Sequence, residues 1–137
     1  MTFTPIAQRQ GLVKVAGVEG YFATKSGGAI SSGGTKVYDG GALTPAVIAS
    51  PPESEDITVS RAYDIQRDAS IVMSLRQQVG KFRTTLSVQT TDTDMIASGP
   101  PFVYPEALLT GISAPDIDSG SGDAQVFELT FTIGTWL

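Results

Sequence analysis

A chain of 137 residues, 41% hydrophobic and 17% charged, is long enough for one domain around a buried core and too lightly charged to stay disordered. Having neither cysteine nor histidine, it excludes disulfide frameworks, thiolate nucleophiles and Cys-ligated zinc, and it lacks the commonest metal ligand and neutral-pH proton carrier. Nine Lys and Arg against fourteen Asp and Glu leave a net charge of −5, the wrong sign for gripping nucleic acid through its phosphates.

Met1-Thr2-Phe3-Thr4-Pro5 has neither the basic start nor the apolar run of a secretory signal, and no stretch approaches the ~18 apolar residues of a membrane helix. The expectation is a protein that is neither exported nor membrane-spanning. Residues 11–16 and 18–24 read as a hairpin pivoting near Gly17. Residues 26–52 carry three Gly-Gly pairs, then Pro45 and Pro51-Pro52, a breaker density that reads as a long loop. Loops of that length usually have a task, so this one is a candidate binding arm or partner contact. Within it, Lys36-Val37-Tyr38 and Ala46-Val47-Ile48 have the composition of short strands, suited to pairing with a neighbouring chain.

Ile57, Val59 and Tyr63 against Asp56, Thr58 and Ser60 give the two-residue period of a strand. Ile65, Ala69, Val72, Leu75 and Val79 then switch to the spacing of an amphipathic helix over residues 65–79. Asp64 is its candidate amino-terminal cap, Asp68 lies in the first turn, and Gly80 suits the left-handed position after the last. Phe82, Thr84, Leu86 and Val88 resume the strand period, residues 98–105 form a breaker cluster, and residues 106–113 read as one more strand. Residues 114–123 are an acidic turn. The chain closes on Phe127, Leu129, Phe131 and Ile133 alternating with Glu128, Thr130 and Thr132. Six or so strands in succession and one helix predict a mainly β protein, an antiparallel β sandwich or barrel with one flanking α-helix and a long Gly-rich loop, in a single domain over residues 1–137.

Chemical motifs are weak. In the loop, Gly28 and Gly33 have P-loop spacing, but Gly34 stands where the lysine is required and no helix follows. Asp116 and Asp118 begin a calcium-loop pattern that fails at Ser121 and Phe127, and Asp92 and Asp94 are explained by Asx turns. Carboxylate pairs for glycoside hydrolysis lack an aromatic-walled cleft, and no serine-nucleophile signature occurs. No catalytic, metal or cofactor site is expected, and no enzyme activity. Arg67 and Arg76, on the polar side of the helix, serve as solvated or ion-paired charge or as subunit contacts.

A hairpin, a Gly-rich loop, the strand Asp56-Ile-Thr-Val-Ser-Arg-Ala-Tyr-Asp64, a capped helix and the strand Gly80-Lys-Phe-Arg-Thr-Thr-Leu-Ser-Val88 occur in an order that resembles the tail tube proteins of tailed bacteriophages, related to the tubes of contractile injection systems. The resemblance covers residues 9–136. It implies a structural virion protein that self-assembles into hexameric rings stacked as a tail tube, with the loop at about residues 26–55 reaching an adjacent subunit. Partners implied are further copies, a tape-measure protein and, for a contractile tail, a sheath protein. DNA passes through the lumen without specific binding, and the location is the virion tail, with assembly in the host cytoplasm. Lys36, Val37, Tyr38, Val47, Ile48, Arg67 and Arg76 are the candidate inter-subunit contacts. An acidic balance suits a conduit for a polyanion, and ring closure would pair sheet edges that otherwise template aggregation. Other readings are a tail terminator or head-to-tail connector ring, and a carbohydrate-binding β sandwich.

Overall fold

Strict alternation at the carboxyl-terminal end produces the strand the pattern requires. In the computed structural model, which describes residues 3–137, β11 (Val126–Ile133) buries Phe127, Leu129, Phe131 and Ile133 while Glu128 and Thr132 stay exposed. The same period builds β8 (Ile57–Ala62) and β9 (Arg83–Thr90), which turn Ile57, Val59, Thr84 and Leu86 into the core. Between β9 and β11 runs β10 (Phe102–Ser113), longer than the strand read at 106–113. Its extra residues include Pro105, a poor tenant for a central strand because it donates no ladder hydrogen bond. The register with β9 shifts between Tyr104 and Ala107, so Pro105 sits in the irregularity that tolerates it.

The first hairpin is made by β1 (Gly11–Val15) and β2 (Tyr21–Phe22), joined by a turn in which Gly17 and Gly20 both have positive φ. After Ala23 the chain continues as β3 (Thr24–Gly27), which has left β1 and pairs with β8. Ala23 donates to the Ser60 carbonyl at 3.0 Å across this change of partner. Residues 21–27 are therefore one bent strand that begins beside β1 and ends beside β8. All pairings in the order β2-β1-β9-β10-β11-β8-β3 are antiparallel. The bend brings the two ends of that sheet together, giving a nearly closed barrel with one helix. This corrects the expectation that the sheet needs neighbouring copies to pair its edges: closure occurs largely within the chain. An open seam remains where β1 and β3 diverge, lined by Arg9, Gly11, Val13, Thr24, Lys25 and Val88.

The helix α1 (Ile65–Arg76) is capped as expected, with the Asp64 carboxylate accepting the Gln66 N–H at 3.0 Å. It ends three residues before Val79. Lys81 and Phe82 both donate to the Gln78 carbonyl, and Gly80, with φ of 82°, donates to Leu109 on β10, so the chain is drawn onto the sheet. Only Val72 and Leu75 of the expected apolar stripe are buried; Ile65 is 75% exposed. The third buried position on the helix is Asp68.

Asp68 is fully buried and accepts from Arg61 Nη2 on β8 at 2.5 Å, from Arg67 Nε and Nη2 at 3.0 and 3.1 Å, and from its own helix cap, the Asp64 N–H, at 3.1 Å. Arg61 also donates through Nη1 to the Glu19 carbonyl in the β1–β2 turn at 2.6 Å. Its guanidinium lies over the rings of Phe22 and Phe127, 4.5 and 5.4 Å from their centroids. Burial pushes Arg61 down from the ordinary arginine range, and the charge of Asp68 restores part of the loss. Burial raises the Asp68 carboxyl, yet the bonds from Arg67 and Asp64 and the charge of Arg61 outweigh it, leaving the group below the ordinary aspartate value of 3.8. One ionic cluster thus ties the helix, the barrel wall and the first hairpin together.

Candidate assembly interface

Beyond the barrel, the segment read as a loop is a β ribbon. β4 (Ile30–Ser31) pairs with β7 (Glu53–Ser54), and β5 (Gly34–Val37) pairs with β6 (Ala46–Ala49). Lys36-Val37 and Ala46-Val47-Ile48 do form strands, and within the chain they pair with each other. From β3–β8 into β4–β7 the register is continuous, and across Pro51-Pro52 it slips by one residue, where the two prolines offer no N–H to a ladder. The result is one long hairpin rooted in the barrel wall, and from Ser31 to Ser50 every residue except the half-buried Pro45 is exposed.

Two glycines set the exit of this arm. Gly27 has φ of 83°, and a Cβ there would lie 2.1 Å from the Asp56 carbonyl oxygen; Gly28 has φ of 84° and packs against Ile57. Gly27→Ala is therefore expected to cost roughly 1–3 kcal/mol in chemical denaturation, through strain at the arm's root. Gly40→Ala, at the tip with nothing within 4 Å, is the near-neutral control.

Cross-strand pairing divides the arm into two faces. Val37 opposite Ala46 and Thr35 opposite Ile48 make an apolar face, while Lys36 opposite Val47 lies on the other. Tyr38 follows at the tip, where the Asp39 carboxylate accepts the Gly40 N–H at 2.9 Å and Leu43 is 97% exposed. A two-stranded ribbon alone in water is marginal, and this one presents Val37, Tyr38, Leu43, Val47 and Ile48 to solvent. Contiguous exposed apolar surface of this kind marks interaction sites in proteins.

The structure gathers Lys36, Val37, Tyr38, Val47 and Ile48 on the arm. Arg67 and Arg76 lie elsewhere, on the helix: Arg67 is engaged with Asp68, and Arg76 is exposed beside Met73 and Gln77. The acidic turn is organised by its own backbone, with Asp118 accepting from the Gly120 N–H at 3.0 Å. Asp92 accepts from the Asp94 and Ile96 N–H groups, the Asx-turn role expected of it. Among the described residues no group of three or more His, Cys, Asp or Glu is placed to hold a metal. The buried positions that composition concealed were Arg61 and Asp68, signalled only by their places in the inward periods of β8 and α1.

No known family pattern matches the sequence, and no curated protein matches it. Solved structures do. A chain of the anti-feeding prophage cap, the tube terminating cap, superposes with a TM-score of 0.82 at 15% identity, covering 100% of this chain and 92% of that one. A chain of the sheath/tube terminator of the PVC extracellular contractile injection system gives 0.81 at 18% identity, covering 100% and 98%. One from the sheath-tube complex of the same kind of system gives 0.77 at 18%, covering 97% and 90%. At these identities the likeness establishes the fold. This chain has, over its whole length, the tail-tube fold seen in components of contractile injection systems, the fold that the sequence resemblance implied.

Proposed function

We propose that this protein is a structural ring subunit of a phage-like tail tube, a homo-oligomer whose hexameric rings stack into the conduit for DNA and whose β arm contacts the adjacent subunit. The observation that carries the reading is the arm: a barrel that closes most of its own hydrogen bonds nevertheless extends an apolar ribbon clear of its core. Its partners in that role are copies of itself, a tape-measure protein and, in a contractile particle, a sheath protein, and its place is the particle's tail. Nothing in the role calls for catalysis. A net charge of −5 supports passage of DNA without adhesion.

A terminator ring, which caps a tube and does not propagate it, is the second reading, favoured by the two terminator structures among the likenesses. The sugar-binding reading has little to stand on. Tyr104 is in the core, Tyr63 meets Phe127 edge-on, Trp136 packs against the core, and the exposed Tyr21 and Tyr38 lie on barrel and arm. Electron microscopy of the purified protein at high concentration separates these. Stacked rings or tubes are expected; closed rings that never stack point to the terminator, and a monomer at every concentration overturns both.

A further inference from the structure

We propose that the buried Arg61–Asp68 pair sets the register of β8 against β11, and with it the position at which the arm leaves the barrel. In the structure Ile57, Val59 and Arg61 face Phe131, Leu129 and Phe127. Because β11 repeats an apolar residue at every second position, its pattern fixes which face of β8 turns inward but not which of several two-residue slips is adopted.

Slipping β8 by two residues in one direction would set Ile57 against Leu129 and Val59 against Phe127, and would carry Glu55 inward against Phe131. A lone buried carboxylate forbids that. Slipping the other way sets Ile57 against Ile133, Val59 against Phe131 and Tyr63 against Phe127, an apolar set as complete as the native one. Its single fault is Arg61 against Leu129, one layer deeper. α1 follows β8 directly and would have to slide with it, one helical turn of about 5.4 Å being close to the two-residue advance of about 7 Å along a strand.

The rest of the hairpin does not resist. β3 and β8 are locked to each other by the arm's ladder, and β2 touches β1 through only Tyr21 and Phe22. What does not repeat is the charge. Arg61, neutralised by Asp68, which would travel with it on α1, reaches the Glu19 carbonyl beside the β1 turn from one position alone, and the close approach of Gly20, where a Cβ would lie 2.9 Å from Arg61 Nη1, shapes the turn to admit it. A buried ion pair used for registry is the best-attested role of such pairs.

The chain has no cysteine, so engineered pairs report register without background. Thr58 and Thr130 are directly opposed with their hydroxyls 3.4 Å apart, and Thr58→Cys with Thr130→Cys reports the native register. Ser60→Cys with Thr130→Cys reports the slip that Arg61 forbids, and Asp56→Cys with Thr130→Cys the one Glu55 forbids. Diagonal neighbours sit about 7–8 Å apart, beyond disulfide reach. Each pair is oxidised with oxidised glutathione in the parent and in the Arg61→Met/Asp68→Leu background. The parent should crosslink only through positions 58 and 130. In the apolar background the 60–130 bridge should rise to roughly a tenth of the chains or more, a population readable beside the major register, while 56–130 stays silent. Crosslinking confined to 58–130 in the apolar background overturns the proposal. So does a 60–130 bridge of equal yield in the parent, or failure of the apolar variant to fold, which would make the pair a requirement for stability.

Discussion

Asp68→Ala is expected to lose about 3–5 kcal/mol of folding stability in urea or thermal unfolding, a large part of what a domain of this size has to give. The reason is asymmetry. The carboxylate is fully buried and receives both arginines, so its removal strands Arg61 as an unpaired charge at 3% exposure between two phenylalanine rings. Arg67, at 32% exposure, can turn to water and loses far less. Replacing both buried partners by apolar residues, Arg61→Met with Asp68→Leu, should recover most of the loss, because the charge that needs compensation is gone. A double variant as damaged as the single one would show that the cluster contributes packing that its charges do not describe.

The pH dependence follows from the same carboxylate. Its folded-state value lies below the unfolded one, so its contribution is fully present above the ordinary aspartate range and is lost as pH falls through the depressed folded value. The parent should therefore lose stability progressively on acidification below about pH 4, with midpoints followed in urea. In Asp68→Asn that segment of the profile should flatten, the protein being weaker at neutral pH and less sensitive to acid.

How legible this was depended on which force shaped each part. β11 could be read residue by residue, because a half-buried strand imposes a period of two and Phe127 to Ile133 obey it without exception. The helix was readable through Asp64 and its apolar stripe, but the stripe counted the exposed Ile65 as inward and left out the buried Asp68, since side-chain type stands in for burial only where charges stay in water. Arg61 shows the same limit on β8: the period places it inward after Ile57 and Val59, while its chemistry argues otherwise. In the arm, the glycines that make the sharp exit at Gly27-Gly28 and the tip at Gly41 possible also masked the strands between them. The pairing of residues 34–37 with 46–49 is local, whereas the proposed contact of this ribbon with a neighbouring subunit would leave no period to read.

Excising the arm should separate folding from assembly more completely than any point substitution. Gly27 and Ile57 are directly opposed at the last pairing of β3 with β8, so residues 28–56 can be replaced by a two-residue Asn-Gly turn that closes the hairpin at its root. The arm contributes none of the large buried apolar side chains, and shortening a loop favours the folded state, so the barrel is expected to keep its stability to within about 1 kcal/mol. Its capacity to form rings or tubes should fall below detection, by sedimentation and by electron microscopy, at concentrations where the full chain assembles. A milder variant, Val37→Lys with Ile48→Lys, charges the apolar face without shortening the ribbon, and Lys36→Glu with Val47→Glu charges the opposite one. If the Val37–Ile48 face is the one a neighbour covers, the first pair should abolish assembly and the second should leave most of it. Tubes that grow unchanged from the armless barrel would transfer the whole burden of association to the open seam between β1 and β3 and to the exposed helix face around Met73, and would end the arm's assigned role.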